Sequence, residues 1–228
     1  MIKTILFDLD DTIFDFHMAE RIALEKTLLH LGIAPKEEIL TRYSELNLAQ
    51  WKLLEQEKIT RPQVKVRRYQ LLFDEIGVSC SAEEAAAYYE NLLGIGHYFM
   101  EGAEEILEMF SKEYRLFIVS NGTAKVQRSR IESAGIERYL TGLFISQEIG
   151  YNKPSLDFFR RCFAQIDGFC KEETVIVGDS LSSDIKGGNA AGITTIWYNP
   201  KGVVNDSDVK PGFEIRHLSE LVPLLKSL

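Results

Sequence analysis

Cysteine is scarce in this 228-residue chain: Cys80, Cys162 and Cys170 are the only three, and none forms a C-x-x-C pair. An odd count at such spacings supports neither a disulfide framework nor a zinc site. It points to reduced thiols packed in a cytoplasmic protein. Long apolar runs are also missing, since none approaches the roughly 18 residues that span a bilayer. No membrane association is expected. The opening octet, MIKTILFD, meets an acidic cluster too early for a signal peptide. Basic residues are outnumbered, 26 Lys plus Arg against 34 Asp plus Glu, for a formal charge of −8. Phosphate backbones are bound through clustered Lys and Arg, so this balance argues against a nucleic-acid polymer as partner. It does not exclude a small phosphorylated ligand where a local cation reverses the field. Internal repeats and low-complexity segments are absent.

What is present is ordinary for a globular protein, with 45% apolar and 26% charged residues. Five short apolar runs stand out: residues 3–8 (KTILFD), 115–120 (RLFIVS), 142–146 (GLFIS), 174–178 (TVIVG) and 193–197 (ITTIW). None alternates with polar residues, which fits strands covered on both faces, as in a parallel sheet. Helical patterns separate them. Residues 123–134 carry Val126 and Ile131 and stop at Gly135; Leu156, Phe159, Phe163 and Ile166 share a helix face; residues 182–191 close at Gly192. Strand alternating with helix predicts an α/β fold with a doubly wound parallel sheet. Residues 16–96 break the alternation with helical periodicity alone. Thr60 and Pro62 open one helix and Gly77 ends it, and Ser81 with Glu84 forms a possible capping box for the next. The expected organisation is a core of residues 1–15 and 97–228 interrupted by a helical subdomain, 16–96, set as a lid over the strand ends.

The strand ends hold the chemistry. In an extended segment Asp8 and Asp10 point the same way, about 7 Å apart, and two ionised carboxylates on one side call for a cation. Carboxylate-rich turns are also common, so this pair alone leaves an ordinary turn open. Asp179 follows the fourth run and Asp184 lies in the first turns of the helix after it, where Asp and Ser are also favoured as caps. Ligands of open α/β sheets bind beyond the carboxyl ends of the strands. Hard oxygen donors without a His or Cys pair indicate Mg²⁺ rather than zinc. Ser120, Asn121 and Gly122 open a helix and suit an anion, though Ser-Asn-Gly is also an ordinary turn. Lys153 follows the third run. In order, the strand ends therefore supply two acids, an anion cradle, a cation and two more acids.

This series resembles the phosphatase branch of the haloacid dehalogenase-like hydrolase superfamily. Asp8-x-Asp10-x-Thr12 matches its first motif, Ser120-Asn121-Gly122 its second, Lys153-Pro154 its third and Gly178-Asp179-(x4)-Asp184 its fourth. Asp11 stands where many members carry Gly. The resemblance implies a Rossmann-like core with a C1-type helical cap at residues 16–96. It implies Asp8 as the nucleophile forming an aspartyl-phosphate, and Asp10 as the acid and then the base. Superfamily ATPases and dehalogenases lack an acid at that second position. Mg²⁺ would be held by the Asp8 carboxylate, the Asp10 backbone carbonyl and Asp179, with Asp184 in support. Ser120, Asn121 and Lys153 would bind the phosphoryl group, and Thr12 would orient the loop. Asp15, the length of the cap and the return at residues 98–102 (YFMEG) are similar to a YjjG/YfnB-like branch of pyrimidine nucleoside 5′-monophosphatases with a house-cleaning role. Asp15 reads equally as a cap of the first lid helix.

The expected activity is Mg²⁺-dependent hydrolysis of small phosphomonoesters, nucleoside 5′-monophosphates foremost, by a monomer or weak dimer. A phosphomutase of the β-phosphoglucomutase kind is the alternative, followed by a non-catalytic phospho-ligand binding protein. Lys65, Arg67 and Arg68 on the 60–77 helix read as a solvated charged face or as substrate contacts. Trp51, Tyr88, Tyr89 and Tyr98 read as packing or as base-stacking groups.

Overall fold

The computed structural model describes residues 1–228. They fall into two compact units, Met1–Phe16 with His97–Leu228, and His17–Gly96. In chain order the elements are β1 (Thr4–Phe7), α1 (Phe16–His30), α2 (Glu37–Glu55), α3 (Arg61–Ile76), α4 (Ala82–Leu93), α5 (Ala103–Phe110), β2 (Arg115–Ser120), α6 (Ala124–Ala134), β3 (Gly142–Ile145), α7 (Ser146–Ile149) and α8 (Leu156–Phe163). They continue with β4 (Thr174–Gly178), a single π turn (Leu181–Ile185), α9 (Lys186–Ala191), β5 (Thr194–Tyr198), β6 (Phe213–Ile215) and α10 (Leu221–Ser227). No helix is long and apolar enough to cross a membrane. The three cysteines are unpaired, and burial pushes the Cys162 thiol up to about 12.

The larger unit is an α/β fold built on a six-stranded, all-parallel sheet ordered β3-β2-β1-β4-β5-β6. The central strand β1 is buried along its whole length, which explains its unbroken apolar run. Alternate residues go to opposite faces. Ile5 and Phe7, with Leu116, Ile118, Val175 and Val177, meet Ala103, Ile106, Leu107 and Phe110 of α5 and Leu221 and Leu225 of α10. Leu6, with Phe117, Val119 and Ile176, meets Phe158, Phe159, Cys162 and Phe163 of α8. The sixth strand was not foreseen: β6 is three residues at the sheet edge, and its Phe213 and Glu214 are exposed, so no apolar run marks it. Helix α6 ends at Gly135 in the left-handed conformation, as its pattern predicts. The helix expected over 182–191 instead begins as the π turn, in which Ser180 O accepts from both Asp184 N (3.0 Å) and Ile185 N (3.2 Å). Where the chain leaves the sheet and returns to it, Asp15 N donates to Tyr98 O (2.7 Å) and Met100 N to Ile13 O (2.9 Å).

The smaller unit is helical throughout, with α3 packed against α2 and α4. Helix α3 begins with the Gln63 carboxamide accepting from Thr60 N (2.8 Å) and ends at Gly77. At α4 one half of the capping box is present: Ser81 Oγ accepts from Glu84 N at 3.1 Å. Arg68 departs from a solvated charged face. It is buried, bonded to Asn47 Oδ1 (2.8 Å), with the Tyr43, Tyr69 and Tyr89 rings 4.7–5.6 Å from its guanidinium carbon. Lys65 is paired with Glu90 at 2.6 Å. Tyr88 stacks on His30 at 4.0 Å, and Tyr89 is core, so both rings are engaged in packing.

Candidate active site

Four adjacent parallel strands, β3-β2-β1-β4, bring their carboxyl ends together, and the residues that follow them converge as topology requires. Asp8 follows β1, Ser120 ends β2, Lys153 lies in the loop beyond β3 and α7, and Asp179 follows β4. The Lys153 ammonium is buried, 1% exposed, and its three donors are all engaged: with Asp8 Oδ1 (2.6 Å), Asp184 Oδ1 (2.6 Å) and Val119 O (2.7 Å). Asp184 Oδ2 accepts from Ser180 N at 3.1 Å. Asp184 reaches this position because it sits on the π turn opposite Gly178. A Cβ at 178 would lie 2.7 Å from Asp184 Cβ and closer still to its carboxylate.

Carboxylate oxygens of Asp8, Asp179 and Asp184 all lie within 4.8 Å of one another. Burial pushes the Asp8 carboxyl up to about 8 despite Lys153 beside it, with Asp184 and Asp10 adding to the rise. Asp179 is driven well above the usual carboxylate range by burial first, then by Asp8, Asp184 and Asp11. For Lys153 burial acts downward, but Asp184 and Asp8 override it and raise the ammonium above the ordinary lysine value. One cation is thus too little for these acids, and the donor set of hard carboxylate oxygens suits a divalent ion such as Mg²⁺. The Asp179 carbonyl is fixed by Trp197 Nε1 of β5 at 2.7 Å, a contact that nothing in the sequence announced.

The remaining motif residues fall as follows. Asp10 Oδ2 accepts from Gln127 Nε2 at 2.6 Å, and Asp10 Oδ1 from the Arg130 guanidinium. Ser120 Oγ accepts from Gly122 N (3.1 Å) and from Gln127 Nε2 (2.9 Å), which leaves its own O–H as a donor for an incoming group. Asn121 grips the Lys153 backbone, its Nδ2 donating to Lys153 O (2.9 Å) and its Oδ1 accepting from Lys153 N (2.8 Å). It positions the lysine loop in this arrangement. Thr12 is fully buried and its hydroxyl has no hydrogen-bond partner, so any hold it has on the loop is through packing. Asp11 adopts φ 56°, and its Oδ1 accepts from Phe16 N at 3.0 Å.

Gln127 and Arg130 were missed by sequence reading. Their signal was there: Val126, Gln127, Arg130 and Ile131 are spaced as one helical stripe, and all four are buried. A Gln and an Arg on a stripe that faces inward demand a polar partner. Gly122 makes room for Gln127, since a Cβ there would collide with its side chain.

With this geometry in place, comparison with known proteins is decisive. Residues 5–198 match the family model for haloacid dehalogenase-like hydrolases. The chain belongs to that family. It is 35% identical over 224 residues to the pyrimidine 5′-nucleotidase PynA of Streptococcus pneumoniae, covering 98% of this chain and 94% of that one. It is 34% identical over 223 residues to the HAD-hydrolase YfnB of Bacillus subtilis, covering 98% and 95%. The solved structure of YfnB, which is bound to magnesium, superposes with a TM-score of 0.94 at 34% identity over 98% of each chain. The pyrimidine 5′-nucleotidase YjjG of Escherichia coli is 27% identical, covering 97% and 96%. The family resemblance and fold class expected of this hydrolase from its motifs are thereby established.

Proposed function

We propose that this hydrolase is a Mg²⁺-dependent phosphomonoesterase that works through an aspartyl-phosphate on Asp8 and takes nucleoside 5′-monophosphates, pyrimidines foremost. The observation that carries the reading is the cluster at the strand ends: Asp8 held by Lys153, with Asp179 within reach, and the Ser120 hydroxyl and Asp10 linked to each other through Gln127. The curated relatives PynA and YjjG support the nucleotide assignment.

The Asp8 and Asp179 carboxylates and the Asp10 backbone carbonyl would hold the ion. When bound, it offsets the negative charge that otherwise sets Asp8 against an anionic phosphoryl group. Asp8 attacks phosphorus, and the bond from phosphorus to the ester oxygen breaks. Asp10 gives its proton to that oxygen. Water then attacks the same phosphorus, Asp10 takes its proton, and the bond to Asp8 breaks to release phosphate. Ser120 O–H donates to a phosphoryl oxygen. Lys153, whose three donors meet Asp8, Asp184 and the Val119 carbonyl, orients Asp8 through Oδ1 and contributes positive charge toward the phosphoryl group. These residues address phosphate and metal only.

A screen with Mg²⁺ over nucleoside 5′-monophosphates and sugar phosphates, following free phosphate and isomerised product separately, tests the reading. Phosphate release from pyrimidine nucleotides, abolished in Asp8→Asn, is expected. Isomer without phosphate would replace the hydrolase with a mutase, and turnover retained by Asp8→Asn would displace the nucleophile.

A further inference from the structure

Arg130 is the largest fully buried side chain in the protein. A guanidinium taken out of water costs several kcal/mol unless it is paired and hydrogen-bonded. Its ion-pair partner is Asp10, 120 residues away in sequence and 28% exposed. The same Nη1 donates to Gln127 Oε1 at 3.1 Å, and the guanidinium carbon lies 5.1 Å from the Phe14 ring centroid. Gln127 completes a closed network. Its Nε2 serves Asp10 Oδ2 at 2.6 Å and Ser120 Oγ at 2.9 Å.

A merely structural ion pair would need one oxygen of any nearby acid. Here both oxygens of one carboxylate are engaged, by two side chains one helical turn apart on α6, and one of these also touches the hydroxyl proposed to meet the phosphoryl group. We propose that Arg130 and Gln127 are positioning residues for Asp10: they fix the direction of its carboxylate and couple it, through Gln127, to Ser120. The inference rests on the roles given above to Asp10 and Ser120. Its chemical consequence is selective. Proton delivery matters when the departing oxygen is strongly basic, as in a nucleoside 5′-phosphate, and little when it leaves as the stable 4-nitrophenolate.

The experiment compares kcat/KM for 4-nitrophenyl phosphate, phenyl phosphate and uridine 5′-monophosphate in the Mg²⁺-loaded wild type, Asp10→Asn, Arg130→Met, Arg130→Lys and Gln127→Met. Arg130→Met and Gln127→Met should lose roughly 10²-fold on the two substrates with basic leaving groups and less than about tenfold on 4-nitrophenyl phosphate. The loss should fall on kcat with KM near that of wild type. Arg130→Lys, which keeps one charged donor, should recover part of it. Equal losses on all three substrates, or none, would overturn the proposal by reducing the pair to a structural contact. Asp10→Asn separates the two readings. If it discriminates by leaving group and the α6 variants do not, only the positioning role falls. If it fails to discriminate, the acid role of Asp10 falls with it. Gln127→Met removes no charge, so it carries the test if Arg130→Met does not fold.

Discussion

Asp11 turns the chain left-handed at φ 56° between the two aspartates of the first motif and the start of α1. An L-residue there costs roughly 1–2 kcal/mol, a penalty that Asp bears better than most because its short side chain bonds locally. In this protein it does so by accepting the Phe16 N–H at 3.0 Å. Replacement by Ala loses that bond and keeps the strain, whereas Gly loses the bond and relieves the strain. Both remove the same repulsion on Asp179. Asp11→Ala should therefore be about 1 kcal/mol less stable than Asp11→Gly in urea unfolding, the ordinary difference between Ala and Gly at such a position. Equal stabilities would show that the left-handed turn carries no strain. The same turn accounts for Gly being the common occupant of this position in the motif. Asp10 and Lys153 were legible from their place in the motifs, but their partners were not.

Elements matter here through their ends. Strand β4 stops at Gly178, and the π turn after it swings Asp184 over that glycine and onto Lys153. π turns inserted before α-helices often accompany functional sites, and this one sets the depth to which a carboxylate reaches. Gly178→Ala would place a Cβ 2.7 Å from Asp184 Cβ, an atom fixed to the backbone that cannot swing aside. Displacing the acid by even about 1 Å disturbs Lys153 and, through it, Asp8. The expected result is a fall in kcat/KM on the order of 10²-fold and a loss of about 1–3 kcal/mol in urea unfolding. Wild-type activity in this variant would mean that the position of Asp184 is immaterial. The apolar strand runs and the glycine stops of α3, α6 and α9 were readable because burial on both faces and left-handed caps leave local marks. Strand β6 left none, being short and largely exposed.

Over the whole molecule, a chain of net charge −8 concentrates three of its acids at the carboxyl ends of the strands, the site proposed to take an anionic substrate. Without a metal ion, the folded state holds protons on Asp8, whose carboxyl is pushed up to about 8, and on Asp179, while the unfolded chain releases them near pH 4. The stability that the raised Asp8 carboxyl contributes is present at low pH and is lost as pH rises through about 8, and the upward shift of Asp179 acts in the same direction. In EDTA, wild-type stability should therefore decline between pH 5.5 and pH 8.5 more steeply than that of Asp8→Asn. Mg²⁺ binds the deprotonated carboxylates, so it should raise Tm more at pH 8.5 than at pH 5.5. Calorimetry at the two pH values checks both statements. An equal rise from Mg²⁺ at each would contradict the linkage.

The sequence by itself determined five of the six strands and their alternation with helices, the parallel α/β class and the residue types that meet at the strand ends. These follow from local patterning and from motifs whose spacing is set by single strand-to-helix joints. Tertiary structure alone decided the pairings: Lys153 between Asp8, Asp184 and a backbone carbonyl, Arg130 and Gln127 on Asp10, Trp197 on the Asp179 carbonyl, and Arg68 among three tyrosines. The physical reason is that a buried charge must find a partner, and here most of those partners lie far away along the chain. Periodicity reports which side of a helix turns inward, but only the packed fold supplies the group that waits there.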